Sequence, residues 1–325
     1  SGADVGANKR QILLQFSQQR QHLHELADIL EKSGQPQVAH HLRSFRQTLK
    51  SNQFQRLSKI GEGDYGIVYR IRHAIDQKFY AIKEVELNDL NDKGKQRIMD
   101  EVMHLQYLRS PYVVEYYDSW VEGNTFYIQM EACFNNLNNI LRLKRQYFER
   151  QLGEPMDLYE YFISCEIFKE ILECVQYLHE MNPPVIHRNL TPGNILIVRN
   201  HVQGRFIKLC SLILATIHDT RIHYKTTHKH TANVGTSRYI APENTMGLKY
   251  DHKIDLYSLA IIGAEIFELD PFDGSRTKQY SVDYPELNPP VQQMQKLLDS
   301  MLARNWHKRP DCKDVLDKYN EWKAT

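Results

Sequence analysis

Hydrophobic residues are spaced in different ways along the chain. Between residues 9 and 50 they recur every three or four positions, which is the period of an amphipathic helix. Ser33-Gly34-Gln35-Pro36 interrupts this pattern with residues that end one helix and begin the next. The segment is therefore predicted to be an αα-hairpin, and its apolar face must be covered by the rest of this chain or by another protein. The apolar positions are Ile12, Phe16, Leu23, Leu26 and Leu30 on the first helix and Val38, Leu42, Phe45 and Leu49 on the second.

Residues 54–133 instead contain short runs rich in β-branched and aromatic residues, separated by turn residues. These runs predict strands at 54–60, 66–74, 78–85, 112–120 and 124–130, with one helix at 98–108. From residue 134 to 325 the helical period returns, most regularly around 160–180, 252–268 and 289–303. A small strand-rich part followed by a large helical part predicts an α+β fold.

Composition narrows the classes of function. The chain has 325 residues and a formal net charge of +1, so it lacks the strongly basic, clustered charge of a nucleic-acid binder. Its five cysteines include no C-x-x-C pair, which argues against a disulfide framework or a zinc site and favours the cytoplasm or the nucleus. The longest apolar run, 256–267, is too short to span a bilayer, and no signal-peptide pattern opens the chain. Residues 1–8 are small and polar and are expected to be a tag remnant or disordered.

Six short motifs follow one another over residues 54–320. The first is Gly61-Glu62-Gly63-Asp64-Tyr65-Gly66-Ile67-Val68, which lies between two predicted strands, where glycines let a backbone close over phosphates. The others are Tyr80-Ala81-Ile82-Lys83, His187-Arg188-Asn189-Leu190 with Asn194 after it, Ala241-Pro242-Glu243, Asp255-Leu256-Tyr257-Ser258, and Trp306-His307-Lys308-Arg309-Pro310. In this order the motifs resemble those of protein kinase domains. The resemblance implies a two-lobed kinase-like domain over residues 51–325, with a small β-rich N-lobe (54–133) and a large α-helical C-lobe (134–325).

The same resemblance implies roles for individual residues. Lys83 would neutralise nucleotide phosphates and pair with Glu101 on the following helix, with Asp100 as the alternative partner. The implied nucleotide-binding positions are Gly61, Gly63, Gly66, Val68, Ala81, Lys83, Glu101, the gatekeeper Met130, the hinge residues Glu131 and Cys133, Asn194 and Leu196. The implied structural positions are His187, Arg188, Leu212, Glu243, Asp255 and Arg309, with an ion pair between Glu243 and Arg309.

Two segments narrow the resemblance. Residues 116–122 (YYDSWVE) and 126–133 (FYIQMEAC) are similar to segments of the kinases that phosphorylate the alpha subunit of eukaryotic initiation factor 2, and more distantly to Wee-type kinases. Those kinases dimerise through their small lobes, which implies a protein partner, such as an active kinase, bound by small-lobe pairing. The helices at 9–50 are the alternative contact surface. The segment 273–284 is short, so the helix that docks the initiation factor in those kinases is expected to be shortened or missing.

The chain departs from the kinase pattern at three positions that carry chemistry. Asn189 stands where the pattern has the aspartate that accepts the substrate hydroxyl proton, and Ser211 where it has the aspartate that holds Mg²⁺. Thr191 replaces the lysine that many serine/threonine kinases use to stabilise the transferring phosphoryl group. Neutral side chains cannot accept that proton and bind a hard cation poorly. The sequence therefore predicts no catalytic residues and no metal site.

These departures lead to two hypotheses. The first is a catalytically inactive pseudokinase that acts as an allosteric regulator, scaffold or inhibitor of a protein partner and requires no cofactor, with ATP bound, if at all, without Mg²⁺. The alternative is a nucleotide-binding enzyme with weak or metal-independent phosphotransfer, because Lys83 and Glu101 are retained. Four histidines in the segment after Ser211, namely His218, His223, His228 and His230, are irregularly spaced and predict a solvated loop rather than a metal site.

Overall fold

The computed structural model describes residues 53–324 except 64–65, 89, 152, 203, 213–214, 218–236, 246–249, 271–279 and 281–282. The predicted hairpin at 9–50, residues 1–8, the four histidines and most of the 273–284 segment lie outside the described residues.

The small lobe is a five-stranded antiparallel sheet with one helix packed against it. In spatial order the strands are β1 (Phe54–Gly63), β2 (Gly66–His73), β3 (Phe79–Glu86), β5 (Thr125–Glu131) and β4 (Tyr116–Glu122). Helix α1 (Asp92–Tyr107) begins six residues before the predicted start, because the Asn91 side chain accepts a hydrogen bond from the Gly94 N–H and caps it. Ala81 and Val85 are buried on the face of β3 that also carries Lys83, and Ile82 is buried on the opposite face.

The prediction that β4 begins at residue 112 is wrong. Residues 112–114 bond to the large lobe instead: the Leu209 N–H donates to the Tyr112 carbonyl at 2.9 Å, and the Val114 N–H donates to the Leu209 carbonyl at 2.9 Å. Their β-branched and apolar character therefore reflects burial between the lobes, with Val113 and Val114 at 1% and 3% exposure.

The large lobe is mainly helical. Its main hydrophobic core is continuous with that of the small lobe, and Ile186, Ala241 and Ile254 form a second, smaller cluster. Its helices are α2 (Leu137–Tyr147), α3 (Leu158–His179), α4 (Pro242–Thr245), α5 (Lys253–Phe267), α6 (Asn288–Met301), α7 (Cys312–Asp317) and α8 (Tyr319–Trp322). Helix α5 lies at the centre, and its Gly263 has no room for a side chain because a Cβ there would lie 2.7 Å from Leu298 and 2.9 Å from Phe168.

Short strands line the side of the large lobe that faces the sheet. β6 (Asn135–Asn136) pairs with β8 (Ile195–Val202), which pairs with β9 (Arg205–Leu209), and β7 (Val185–Ile186) pairs with β10 (Thr216–Ile217). The chain crosses between the lobes after Glu131, where the Phe134 N–H donates to the Ile197 carbonyl at 2.8 Å. The predicted two-lobed α+β fold is confirmed. No helix in the described part of the chain is long and apolar enough to cross a membrane.

Candidate functional site between the lobes

The glycine-rich motif forms the turn end of the β1–β2 hairpin, with Gly61 opposite Val68 and Gly63 opposite Gly66. Gly66 has φ of 152°, and a Cβ there would lie 2.1 Å from the Glu84 carbonyl oxygen of β3. Glycine at this position is therefore required by the close approach of two strands, independently of any phosphate.

Lys83 and Glu101 form an ion pair beneath that hairpin. The Lys83 Nζ lies 2.6 Å from the Glu101 Oε2, and the side chains are 12% and 3% exposed. Lys83 on β3 is opposite Val68 on β2 and Ile128 on β5, so the pair joins the sheet to helix α1. Asp100 instead accepts a hydrogen bond from Gln96 at the surface.

The strand that leads out of the small lobe carries the expected gatekeeper and hinge residues. Met130 lies opposite Ala81 and packs against the core. The side chain of Glu131 accepts an ion-pairing hydrogen bond from Lys208 on β9, with 2.5 Å between Lys208 Nζ and Glu131 Oε2. No hydrogen bond of the Cys133 backbone is found within the described residues.

Sequence reasoning missed Lys208. It is 6% exposed and faces Leu196 across the β8–β9 ladder. A lysine inside the apolar run Ile207-Lys208-Leu209 was the available signal, since a buried lysine needs an anionic partner. The pair ties the hinge to the large lobe.

The loop that contains Asn189 is held by Asp255 of helix α5. The carboxylate of Asp255, at 0% exposure, accepts hydrogen bonds from the N–H groups of His187 and Arg188 and from His179 Nε2, each at 2.9 Å. Burial would raise the pKa of Asp255, but these bonds outweigh it and hold that pKa below its usual range. Arg188 adopts φ of 63° and donates from Nη1 to the Tyr250 hydroxyl at 3.0 Å.

His187 is neutral and its tautomer follows from its two contacts. Its Nδ1 accepts the Asn189 N–H at 3.2 Å, so Nε2 carries the proton and donates to the Cys210 carbonyl at 3.1 Å. Burial lowers the pKa of His187 below its usual value. The imidazole therefore positions the Asn189 loop against the segment that contains Ser211.

Neutral groups surround the place where a metal would be expected. The Asn194 Nδ2 donates to the Asn189 carbonyl at 2.8 Å, which leaves Asn194 an amide oxygen as its free acceptor. The Cys210 N–H donates to the Asn194 carbonyl at 3.0 Å and so places Ser211 beside this amide, with Ser211 at φ of 61°. Thr191 is 9% exposed at the start of the turn Pro192–Asn194. This donor set contains no carboxylate and does not fit Mg²⁺, which prefers carboxylate oxygens.

The two cysteines near this site are poor nucleophiles. Burial raises the pKa of the Cys210 thiol to about 12 and moves the pKa of Cys133 upwards as well. Both are thiols at neutral pH, and the thiolate is the reactive form.

Two predicted structural features are present. The guanidinium of Arg309, 1% exposed, donates to both carboxylate oxygens of Glu243 at 2.5 and 2.9 Å. Leu212 is buried in the main core together with Leu105, although Ile213 next to it lies outside the described residues.

Comparison with known proteins places the chain in a family. A family model described as the protein kinase domain matches residues 54–320. The chain is 27% identical over 279 residues to a probable serine/threonine-protein kinase nek2 of Dictyostelium discoideum, which covers 82% of this chain and 62% of that protein. It is 28% identical over 299 residues to the interferon-induced, double-stranded RNA-activated protein kinase of Rattus norvegicus, covering 84% of this chain and 53% of that kinase.

The match to the serine/threonine-protein kinase cst-1 of Caenorhabditis briggsae is 31% identical over 220 residues, with 67% of this chain and 39% of that protein covered. The chain thus spans little more than half the length of the first relatives. The double-stranded RNA-activated kinases of rat and mouse are among the matches, which confirms the resemblance to initiation-factor kinases. The matched model, the two-lobed fold and the order of the motifs agree, and the chain belongs to the protein kinase domain family.

Proposed function

We propose that this chain is a kinase-fold protein that does not transfer phosphate and that acts by binding a protein partner. The observation that carries the proposal is the neutral set formed by Asn189, Asn194 and Ser211 in a site whose surroundings are assembled. Loss of a general base alone costs about 10²–10⁴ in rate. Without the metal, the charge that develops in the transition state loses several kcal/mol of stabilisation, which lowers the rate by roughly a further few powers of ten.

The same site supports binding of a nucleotide without Mg²⁺. Lys83 offers one buried cation whose position is held by Glu101 at 2.6 Å, and the Cys133 backbone offers a donor and an acceptor for an adenine edge. Neutral side chains at 189 and 211 remove two negative charges that would repel phosphates in the absence of a metal. A bound nucleotide would act as a structural ligand that stabilises the lobe arrangement.

A related active kinase, bound through the small lobes, is the partner that the family resemblance favours. Large apolar side chains at the small-lobe surface support an interface there, with Leu57, Ile60, Ile75 and Phe79 exposed by 44%, 41%, 73% and 47%. The helices at 9–50 are the alternative contact. The cytoplasm or the nucleus is the proposed compartment.

Weak phosphotransfer is the second candidate, and the intact Lys83–Glu101 pair favours it. A thermal-shift titration with ATP, in EDTA or in excess Mg²⁺, separates the candidates when combined with a phosphate-transfer assay. Nucleotide at 100 times its dissociation constant stabilises by about 2.7 kcal/mol. The proposal expects a shift in EDTA, its loss in Lys83→Met, and no phosphate transfer. Metal-dependent transfer that is lost in Lys83→Met would overturn it.

Partner binding is tested separately by mixing the chain with the kinase domain of an initiation-factor kinase. Sedimentation should detect a complex, and Phe79→Asp should weaken it while Phe206→Asp, at an exposed position of the large lobe, leaves it unchanged. A complex that both variants form equally well would contradict pairing through the small lobe.

A further inference from the structure

The large lobe carries an exposed apolar surface on helices α2 and α3. Helix α2 presents Leu143 and Tyr147, one turn apart, at 48% and 86% exposure. The first turns of α3 present Leu158, Tyr159 and Phe162 at 42%, 66% and 45% exposure. We name these five residues the α2–α3 patch. Contiguous exposed apolar surface of this kind marks an interaction site more often than single exposed residues do.

The two helices of the patch are joined, so the patch is one surface. The Phe148 ring that follows α2 lies 6.2 Å from the Tyr159 ring, centroid to centroid. Beneath it, Arg150 donates to both carboxylate oxygens of Glu160 at 2.5 and 2.8 Å, and Lys144 Nζ lies 3.3 Å from the same carboxylate. Glu160 is 0% exposed.

Lys144 also anchors the patch to the centre of the lobe. Its Nζ donates to the Ile266 carbonyl of α5 at 2.5 Å, and Arg150 reaches Glu268 just beyond that helix at 2.9 Å. Lys144 points inwards while its neighbour Leu143 points outwards, so the charges are buried and the apolar residues are exposed. Such a preformed surface loses little conformational entropy when a partner binds.

We propose that the segment 9–50 of this same chain folds over the α2–α3 patch as its helical hairpin. The hairpin has nine apolar residues at helical spacing and cannot bury them by itself. The patch presents a complementary apolar surface, and an amphipathic helix laid into an apolar surface is a recurrent mode of recognition.

The position where the chain enters the fold supports this occupant. Phe54 begins β1 opposite His73, and that end of the sheet also holds Tyr80, which lies opposite Glu131. The described chain therefore begins at the end of the sheet from which the hinge leads to the large lobe, and α2 begins at Leu137, six residues beyond Glu131.

The lengths of the two predicted helices are also compatible with this placement. At 1.5 Å per residue, helices at 9–32 and 36–50 would be about 36 and about 22 Å long, against about 16 Å for α2. Three strand spacings of about 4.8 Å separate β1 from β5, which is less than the length of either predicted helix.

Charge supports the same pairing. The segment 9–50 contains seven Lys and Arg against three Asp and Glu, a net charge of +4. The loop that borders the patch carries exposed Glu149 and Glu154, together with Asp157 at the start of α3. Its one cation, Arg150, is already committed to Glu160 and Glu268. A basic hairpin would thus meet an acidic loop on the α3 side of the patch, while the α2 side carries the cations Arg142 and Arg145.

Photo-crosslinking in the full chain tests the proposal. p-Benzoylphenylalanine in place of Tyr147 should crosslink to residues 9–50 of the same chain, with a yield that does not change on dilution. The same probe in place of Tyr107, an exposed tyrosine of α1 at 47% exposure, should give no such crosslink. Mass spectrometry of mixed heavy- and light-isotope chains distinguishes links within one chain from links between chains.

A matched pair of hairpin variants examines the apolar face. Leu26→Glu should lower the Tyr147-position crosslink yield about tenfold, whereas Gln21→Glu, which adds the same charge on the opposite side of the helix, should leave it unchanged. Crosslinks between heavy and light chains would show that a second copy covers the patch, and links that avoid 9–50 would show another occupant. Either result overturns the proposal, as does an equal loss of yield in both variants.

Discussion

Replacing Ser211 with aspartate tests the proposed metal-independent binding of a nucleotide, because the variant should bind it in a metal-dependent way. Ser211 is held near Asn194 by its neighbour Cys210, because the Cys210 N–H donates to the Asn194 carbonyl and the Cys210 carbonyl accepts a hydrogen bond from His187 Nε2. Ser211 adopts φ of 61°, in the left-handed region that aspartate and asparagine tolerate better than other non-glycine residues. The variant should therefore fold with an unchanged melting temperature.

The new carboxylate would lie on the side of the pocket where Lys83 is placed to meet phosphates. Two unit charges about 5 Å apart interact by about 3 kcal/mol at an effective dielectric constant of about 20. Ser211 is half-buried, and screening by solvent reduces this to about 1.5 kcal/mol. We therefore expect metal-free ATP to bind about tenfold more weakly to Ser211→Asp than to the unchanged chain.

Isothermal titration calorimetry with ATP, in EDTA or in excess Mg²⁺, measures this change. Mg²⁺ should recover the loss in Ser211→Asp, since the carboxylate supplies the hard ligand that the native site lacks. Ser211→Asn is the matched control, because it has the same tolerance of positive φ without the charge, and it should behave as the unchanged chain. Equal metal-free affinities of the Asp and Asn variants would refute the electrostatic reasoning, as would tighter binding of the unchanged chain in Mg²⁺.

Three further outcomes follow from the packing. Gly66→Ala should destabilise the fold by about 2 kcal/mol or more, because the new Cβ would lie 2.1 Å from a strand carbonyl. Gly61→Ala is the control, since its Cβ would lie 3.6 Å from the nearest atom and should be tolerated. Equal melting temperatures of the two variants would contradict this reasoning. Glu243→Leu should cost about 3–5 kcal/mol in urea unfolding by stranding the buried Arg309, and Arg309→Met in the same chain should restore most of it. Burial holds the pKa of His187 below its value in the unfolded chain, so the unfolded chain is protonated first as the pH falls below about 6.5, and the free energy of unfolding decreases. This decrease should be at most about 1.4 kcal/mol per pH unit, and the contribution should be absent in His187→Gln.

Local patterns in the sequence predicted most elements of the small lobe, because runs rich in β-branched and aromatic residues between turn residues are typical of strands. The start of β4 was wrong for a physical reason: Tyr112 to Val114 are apolar because they are buried against Leu209 of the other lobe, and a local pattern does not distinguish burial in a sheet from burial between lobes. The start of α1 was also late, since its first turn is polar and is stabilised by the Asn91 cap.

The candidate site was predictable where one motif holds its own residues and unpredictable where distant segments meet. Lys83 and Glu101 were paired from sequence through the family resemblance, and the structure brings them to 2.6 Å. The Lys208–Glu131 pair joins residues that are 77 positions apart. The sequence around either residue does not indicate the other as its partner, so the pair could be identified only from the folded structure.

The contacts of the retained motif residues change what their retention means. Asn194 donates to the Asn189 carbonyl, and His187 bridges two loops through its two ring nitrogens, so each has a structural role that does not depend on catalysis. The Lys83–Glu101 pair is different, because a buried ion pair can often be replaced by apolar residues at no cost in stability. Stability alone therefore gives little reason for a lysine and a glutamate at these two positions. A bound anion does give one, and this is the physical argument for the proposed binding of a nucleotide beside Lys83 and Glu101.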